Sequence, residues 1–286
     1  MMRYKKSSKN NKVMCEICAN YCKIREDSYG ICRQFKNVGG ELVDCNYGLI
    51  SSVNVDPIEK KPLARFLPGT MTYSLGGFGC NMGCLHCQNY MISHEYNEFS
   101  RAIKMTPEMI VENAINSNCK SISWTYNEPT IHLPFNHTVS TLAREKGLKI
   151  IYVSNGYMSL ESIEEILTFV DAFNIDLKGF SDEFYKNVCK AHLDVVLDNL
   201  KKIHARGKHL EITNLLINNE NDRERQIRDL VEFVANELSR DVPIHFSRAF
   251  PYYKMEDIAP TEKETLFKAK KIAEEYGMKY VYLGNI

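Results

Sequence analysis

The sequence predicts an α/β fold in which a parallel sheet is covered by helices, and three observations support this prediction. From about residue 71 onward, short apolar runs of strand length alternate with longer segments of helical periodicity. Such alternation is typical of parallel strands joined by right-handed helical crossovers. The chain has 286 residues, 44% of them hydrophobic, which is enough to bury a full core as one large domain plus an appendage.

The alternation can be followed element by element along the chain. Strands are predicted at 71–75, 120–125, 149–153, 172–177, 210–215 and 243–246, with a closing strand at 279–283. Helices are predicted at 107–116, 135–146, 160–170, 193–205, 222–238 and 261–276.

Residues 1–50 differ from the rest of the chain. They lack apolar periodicity and hold five of the ten cysteines. So short a piece cannot build a core of its own, so a metal-stapled segment is expected there. The chain is therefore predicted to divide into a cysteine-rich, metal-binding segment at 1–50 and a sheet-bearing domain at 51–286.

Composition and charge argue against several classes of function. Lys+Arg and Asp+Glu are both 36, and this balance does not suggest nucleic acid or an anionic membrane as a partner. No apolar stretch approaches the ~20 residues that span a bilayer. The basic segment 1–12 is not followed by an apolar run, so a signal peptide is not expected. Grouped cysteines then indicate metal or redox chemistry in a reducing cytoplasm.

Three cysteines directly after the first predicted strand form a CxxxCxxC motif: Cys80, Cys84 and Cys87. Four cysteines are the ordinary complement of a 4Fe-4S cluster, so three would leave one iron open to bind a substrate. A zinc site and unligated thiols are the alternatives. Structural zinc needs a fourth Cys or His at a regular spacing, and His86, between two of the cysteines, is badly placed for that role.

Polar residues follow the ends of the other predicted strands as well. In barrels of parallel strands, sites collect at the carboxyl ends, so these residues predict a single active site. They are Asn127 with Glu128, Ser154 with Asn155, Asp176 with Lys178, Thr213 with Asn214, and His245 with Arg248.

The motifs resemble those of a known family. CxxxCxxC is the signature of the radical SAM superfamily. Segments 56–63, 66–69, 126–129, 154–158, 176–178 and 280–285 resemble AmmeMemoRadiSam-system radical SAM enzymes, relatives of the pyruvate formate-lyase activating enzymes. The resemblance runs from Cys15 to Asn285. It implies a partial (β/α)6 TIM-like barrel, and a 4Fe-4S cluster whose open iron is chelated by S-adenosylmethionine. One electron then releases a 5′-deoxyadenosyl radical, which abstracts a hydrogen from a substrate.

The resemblance also implies roles for single residues. Glu128 and neighbouring groups such as Asn127 would receive the ammonium of S-adenosylmethionine. Ser154 and Asn155 would contact its carboxylate or ribose, and Gly156 would permit close backbone approach. The alternatives are a surface glutamate in a proline-terminated loop and a plain Asn-Gly turn.

Two further pairs of residues carry predictions of the same kind. Asp176 would help to bind a monovalent cation and Lys178 would lie near substrate and cofactor, with a structural ion pair as the alternative. Val153 stands where the activating enzymes carry a second aspartate for that cation. His245 is either a satisfied core residue or a contact to cofactor or substrate.

Four further cysteines, Cys15, Cys18, Cys22 and Cys32, give the pattern CxxC-x3-C-x9-C. Four sulfurs in a short polar segment favour a structural metal, and zinc, a second iron–sulfur cluster and no metal all remain open. Cys45 could be a spare ligand. Cys119 and Cys189 are predicted to be small buried apolar residues.

The functional prediction is a cytoplasmic radical SAM enzyme that takes an electron from a flavodoxin or ferredoxin. Its substrate, a protein or a small molecule, is left open, and neither a nucleic-acid nor a membrane partner is expected. One alternative is an activase that installs a glycyl radical on a partner enzyme. Many activases carry extra cysteines between this motif and the second strand, and this chain has none between Cys87 and Cys119. The other alternative is a metal-stabilised binding module without catalysis.

Overall fold

The computed structural model describes residues 3–6, 11–95 and 102–286, and strands occur throughout these ranges. The predicted basic segment 1–12 lies in part outside the described residues. The strands are β1 (Tyr4–Lys6), β2 (Val13–Cys15), β3 (Lys23–Ile24), β4 (Phe35–Val38), β5 (Glu41–Asp44), β6 (Leu49–Ile50), β7 (Ser52–Pro57), β8 (Met71–Gly76), β9 (Ile103–Lys104), β10 (Ser121–Trp124), β11 (Lys149–Ser154), β12 (Ala172–Asp176), β13 (His209–Leu216), β14 (Ile244–Arg248) and β15 (Val281–Gly284).

Eight of these strands form one sheet in the order β15-β14-β13-β12-β11-β10-β8-β7. Strands β8 to β15 in this order are parallel, and β7 joins the edge antiparallel to β8. The predicted α/β fold with a parallel sheet is therefore confirmed. Among the described residues β7 and β15 are not paired, so the sheet remains open.

Helices cover the sheet and match the predicted alternation closely. They are α1 (Tyr90–Ser93), α2 (Pro107–Asn116), α3 (Leu133–Glu145), α4 (Leu160–Phe169), α5 (Asp182–Phe184), α6 (Leu193–Ala205), α7 (Glu224–Phe233) and α8 (Lys263–Glu275). Side-chain caps set some of the starts: the hydroxyls of Thr106 and Ser159 accept the amides of Met109 and Ser162. The predicted helix 222–238 begins as α7 and ends in the π-helical turn Val234–Leu238.

The segment between β7 and β8 closes the amino-terminal end of the sheet's concave side. Ile58 and Leu63 are fully buried in a small apolar cluster with Ile151 of β11 and Ala172 of β12. Asn174 of β12 donates from Nδ2 to the carbonyl of Pro62 at 2.8 Å. We call residues 58–70 the plug segment, because they fill the space that the open sheet encloses.

The cysteine-rich residues do not stand apart from the sheet domain. Val13, Ile17 and Phe35 belong to the same buried cluster as the strands and helices of the sheet. Cys18 forms an isolated bridge with Met158, which follows β11. The segment thus obtains its core by packing onto the loops at the carboxyl ends of the strands.

Within the part of the chain that the structure describes, no helix is long and apolar enough to cross a membrane.

Candidate functional site

A large polar cleft lies at the carboxyl ends of the parallel strands, and we call it the rim cleft. It contains about 1280 Å³ of empty space including its open mouth. Its lining reaches from Cys80 after β8 to Asn285 after β15. The predicted site residues that line it are Cys80, Cys84, Cys87, Asn127, Glu128, Ser154, Asn155, Asp176, Lys178 and Thr213.

The loop of the three cysteines is held in place by backbone hydrogen bonds. The amides of Gly83 and Leu85 donate to the carbonyls of Cys189 and Val188 at 2.9 and 3.0 Å. These carbonyls belong to the π-helical turn Tyr185–Cys189, whose register differs from that of an α-helix. A turn remote in sequence therefore fixes the cysteine loop.

The environments of the three thiols differ. Burial, together with the neighbouring charges of Glu128 and Cys84, raises the pKa of Cys80. A hydrogen bond from the Cys189 thiol, with the charge of Lys178, lowers the pKa of Cys84 although burial opposes it. Cys189 is fully buried in the apolar core, as predicted, and its thiol in addition neighbours that of Cys84.

Glu128 is a buried carboxylate that connects two loops of the rim cleft. Its Oε1 accepts from the amide and hydroxyl of Thr130 and from the hydroxyl of Ser154, at 2.9, 2.5 and 2.8 Å. Its Oε2 accepts from the Asn155 amide at 2.8 Å. Burial raises the pKa of Glu128 against these bonds. One donor among the described residues reaches Oε2, so this oxygen can accept a further hydrogen bond.

Two asparagine side chains support the cysteine loop. Asn155 Nδ2 lies 3.7 Å from Cys80 Sγ and donates to Asn81 Oδ1 at 2.8 Å. Asn127 Nδ2 donates to the carbonyl of Gly79 at 2.8 Å, while its Oδ1 accepts from the Gly77 amide at 3.0 Å. Both amides are therefore held by protein groups beside the first cysteine.

Gly156 acts below the cleft surface rather than in it. Its φ of +73° is in the left-handed region. An added Cβ would meet Ile175 at 3.0 Å and Val196 at 3.2 Å. The glycine therefore lets the loop after β11 pack onto β12 and α6, and its lack of a side chain brings the strand end close to its neighbours.

Asp176 and Lys178 form an ion pair in the rim cleft, with Nζ and Oδ2 3.1 Å apart. Burial lowers the pKa of the Lys178 ammonium, but the charges of Asp176 and Cys84 outweigh it and raise that pKa well above its ordinary value. The Lys178 amide donates to the Tyr185 hydroxyl at 3.1 Å. A permanent cation is thus held next to the second cysteine.

His86 lines the rim cleft between Cys84 and Cys87. Burial and the charge of Lys178 lower its pKa to about 3, so the imidazole is neutral near pH 7. Its Nδ1 is buried and has no hydrogen-bond partner among the residues that the structure describes. A buried polar atom without a partner indicates a place for a water or a ligand group.

The structure does not bring His245 to the rim cleft, so its predicted position at the rim was wrong. Its Nε2 lies 2.6 Å from Oε2 of Glu211, and its ring stacks on Tyr282. Ser247, two residues further along β14, lines the cleft instead. Side chains two apart on a strand share a face, so His245 lies one layer deeper on that face. Arg248 is also elsewhere, since its Nε donates to the carbonyl of Thr261 at 2.5 Å.

Sequence reasoning assigned no role to Lys61, which lines the cleft from the plug segment. Its Nζ lies 2.7 Å from Oδ2 of Asp56 and 4.7 Å from the ring centre of Tyr126. Although burial opposes it, hydrogen bonds from Lys61 and Tyr126 lower the pKa of Asp56. Lys61 belongs to the segment 56–63, which carries part of the family resemblance but no chemical prediction.

Four cysteines of the amino-terminal segment surround a second, smaller space. Cys15, Cys18, Cys22 and Cys32 line one cavity of about 290 Å³, together with mostly apolar residues. We call it the thiol cavity. Cys45 is exposed and is not part of it. Burial raises the pKa of Cys15, Cys18 and Cys32 to about 12.

Neither cysteine group is arranged around a single ion. Among the described residues, no three His, Cys, Asp or Glu side chains are arranged to hold a metal ion. In a cubane cluster each cysteine binds a different iron, so the sulfurs stand further apart than around one zinc. The CxxxCxxC loop, with three thiols facing one cleft, is compatible with such a cluster.

The sheet is parallel and open, and three loop cysteines face a polar cleft at the ends of its strands. These features are typical of partial-barrel proteins that carry an iron–sulfur cluster. The profile of the Radical SAM superfamily matches residues 75–231. This chain belongs to the radical SAM superfamily, whose members carry a 4Fe-4S cluster and use S-adenosylmethionine.

Known proteins similar to this chain agree with the assignment. The uncharacterized protein MJ0808 of Methanocaldococcus jannaschii is 46% identical over 97% of this chain and 82% of its own length. Pyruvate formate-lyase 1-activating enzyme of Escherichia coli is 22% identical over 71% of this chain and 89% of its own length. A radical SAM methyltransferase from Sphaerobacter thermophilus superposes with a TM-score of 0.59 at 14% identity, over 76% of this chain and 67% of that chain. The superposition confirms the predicted partial barrel.

Proposed function

We propose that this chain is a radical SAM enzyme that holds a 4Fe-4S cluster with Cys80, Cys84 and Cys87 and binds S-adenosylmethionine in the rim cleft. One observation carries the proposal: the three thiols face the same cleft as the polar groups that end the neighbouring strands. When bound, the cluster and S-adenosylmethionine together supply a 5′-deoxyadenosyl radical that abstracts a hydrogen from the substrate.

The residues beside Cys80 suit the methionine part of S-adenosylmethionine. The remaining acceptor position of Glu128 Oε2 would receive the ammonium, and burial would strengthen this charged hydrogen bond. Ser154 and Asn155 are oriented by the same carboxylate. Asn155 Nδ2 also lies within hydrogen-bonding distance of Cys80 Sγ, so this residue would fix the position of S-adenosylmethionine relative to the cluster.

Lys178 and His86 would act on the other side. The ammonium of Lys178 stabilises a thiolate at Cys84 and keeps its own proton, since its raised pKa lies far above neutrality. Its ion pair with Asp176 fixes its direction. His86 would use its unpartnered Nδ1 to bind an edge group of the nucleoside or of the substrate. Asp176 pairs with Lys178 through Oδ2, so Oδ1 would be the oxygen that binds the predicted monovalent cation.

The substrate and the electron donor belong to the proposal only in general terms. A ferredoxin or flavodoxin in a reducing cytoplasm would supply the electron, and the substrate would enter the open mouth of the rim cleft. A second candidate is an activase that acts on a partner protein, favoured by the similarity to pyruvate formate-lyase 1-activating enzyme. It predicts a stable protein radical when a partner is mixed with the loaded enzyme.

The test is the reductive cleavage of S-adenosylmethionine by anaerobically reconstituted protein. We expect 5′-deoxyadenosine and methionine to form with dithionite, and their formation to fall at least about 100-fold in Cys84→Ala. Cys119→Ala, a buried cysteine outside the rim cleft, is the matched control and should keep the activity. Equal rates in both variants, or no cleavage by the wild type with a full cluster, would overturn the proposal.

A further inference from the structure

The thiol cavity carries an inference beyond the proposed function. We propose that Cys15, Cys18, Cys22 and Cys32 hold a second 4Fe-4S cluster, which is closed to substrates and passes electrons to the first. The size of the cavity, its lining and its neighbours support a cluster.

The size of the thiol cavity argues against a single ion. The four thiols line a cavity of about 290 Å³. Around tetrahedral zinc, with Zn–S near 2.3 Å, the sulfurs would be roughly 3.8 Å apart and would leave no such room. The finding that no three described side chains are arranged for one ion agrees with this. A cubane needs the larger spacing, because each cysteine binds its own iron.

The lining of the cavity also suits a cluster. Ile17, Ile24, Phe35 and Ile131 form apolar walls, and Gly30 approaches the Cys22 side chain. Ile131 comes from the turn after β10, so the sheet domain closes the cavity. Apolar surroundings limit the access of water and oxidants to a bound cluster.

Four ligands would leave no open iron, so this cluster would transfer electrons rather than bind substrate. Its neighbours favour that use. Asn20 Nδ2 lies 3.7 Å from Cys18 Sγ and donates to the carbonyl of Asn81 at 2.6 Å. Asn81 in turn lies beside Cys80, at 3.9 Å between Oδ1 and Sγ. A short hydrogen-bonded path thus joins the two cysteine groups.

The electron balance of the relay is simple. A one-electron donor protein of the ferredoxin or flavodoxin class reduces the second cluster from the 2+ to the 1+ state. The second cluster then returns to 2+ as the first cluster is reduced from 2+ to 1+. No proton or further reactant is needed. This last step, unlike the presence of the second cluster, rests on the proposed function.

The first test measures metal and sulfide in the full chain after anaerobic reconstitution. We expect about eight iron and about eight sulfide per wild-type chain. The variant Cys80→Ala/Cys84→Ala/Cys87→Ala should keep about four of each and give a reduced-cluster paramagnetic signal that S-adenosylmethionine does not change. Cys45→Ala, an exposed cysteine, is the control and should keep the wild-type content.

The outcomes separate this inference from the proposed function. About four iron per wild-type chain, or zinc bound by the triple variant, would overturn the second cluster and leave the proposed function intact. About four iron retained by the triple variant would support the second cluster even if the wild type failed to cleave S-adenosylmethionine. The wild-type count does not depend on whether a variant folds.

The relay has its own measurement. In Cys18→Ala/Cys22→Ala, we expect reduction of the first cluster by ferredoxin to slow at least about tenfold. Reduction by dithionite and the response to S-adenosylmethionine should remain, and these show that the rim cleft is intact. Unchanged reduction by ferredoxin in a variant shown to lack the second cluster would contradict the relay.

Discussion

At the scale of the residue, Glu128 shows how one buried group organises the candidate site. It accepts four hydrogen bonds from Thr130, Ser154 and Asn155, and so joins the loops after β10 and β11. An uncharged side chain of the same shape would point an amide donor at one of these donors. The cost of a buried, unsatisfied pair is about 1–3 kcal/mol.

We therefore predict that Glu128→Gln weakens S-adenosylmethionine binding by about 10-fold or more and lowers the melting temperature. Binding is measured by anaerobic equilibrium dialysis and stability by calorimetry. Glu274→Gln, on the surface of α8, is the matched control and should change neither quantity. If Glu128→Gln bound S-adenosylmethionine as the wild type does, the assigned role of this carboxylate would be wrong.

Residue-level prediction from sequence succeeded where spacing alone determines position. CxxxCxxC forces three thiols into one loop, and the strand-end rule brought Glu128, Asn155 and Lys178 to one cleft. The strand-end rule failed for His245, because apolar patterning does not locate the end of a strand to within one pair of residues. Residue-level prediction also missed the contact of Cys189 with Cys84, which depends on a π-helical turn about a hundred residues away.

At the scale of the element, the plug segment shows why the fold needs more than its strands and helices. An open sheet of parallel strands would leave its concave side exposed at the amino-terminal end. Leu63 and Ile58 fill that space, and both are fully buried. The segment has no periodicity, so sequence patterning did not predict its position.

We predict that Leu63→Ala destabilises the protein by about 2–5 kcal/mol, because it leaves a cavity in a closed apolar cluster. Urea unfolding of the cluster-free protein measures this loss. Leu160→Ala is the matched control, since that side chain at the start of α4 is 61% exposed, and it should cost less than about 1 kcal/mol. Equal losses in the two variants would show that the plug segment is not packed as described.

At the scale of the whole molecule, the parallel sheet and each of its strands except the antiparallel edge strand β7 followed from the alternation of apolar runs. The six strands before residue 51 did not, because each has two to four residues and shows no period. Their apolar side chains join the core of the sheet domain. A long-range packing of that kind leaves no signal in local sequence.

The whole fold should also depend on pH through Glu211, whose carboxylate holds the plug segment to β13. It accepts from the amides of Ala64 and Arg65 at 3.0 and 2.8 Å and contacts His209 and His245. Burial opposes ionisation, but these hydrogen bonds outweigh it and lower the pKa of Glu211 to about 2. The difference between this pKa and that of an ordinary glutamate corresponds to roughly 3 kcal/mol of folding stability.

A lowered pKa in the folded state means that this stabilisation is complete above the unfolded pKa of about 4.3 and is lost as pH falls toward 2. We predict a steep fall in the free energy of unfolding between these values, and a flatter profile in Glu211→Gln. Urea titrations from pH 7 to pH 2.5 measure both. Glu262→Gln, at the start of α8, is the control. Parallel profiles for wild type and Glu211→Gln would exclude this role.

The most direct test of the central claim is electron paramagnetic resonance on anaerobically reconstituted, dithionite-reduced protein, with and without S-adenosylmethionine. The triple variant Cys80→Ala/Cys84→Ala/Cys87→Ala isolates the contribution of the rim cleft. The account predicts a reduced-cluster signal that shifts when S-adenosylmethionine is added to the wild type, and no such shift in the variant. A wild-type signal that does not change when S-adenosylmethionine is added, or zinc bound in place of iron, would contradict this account.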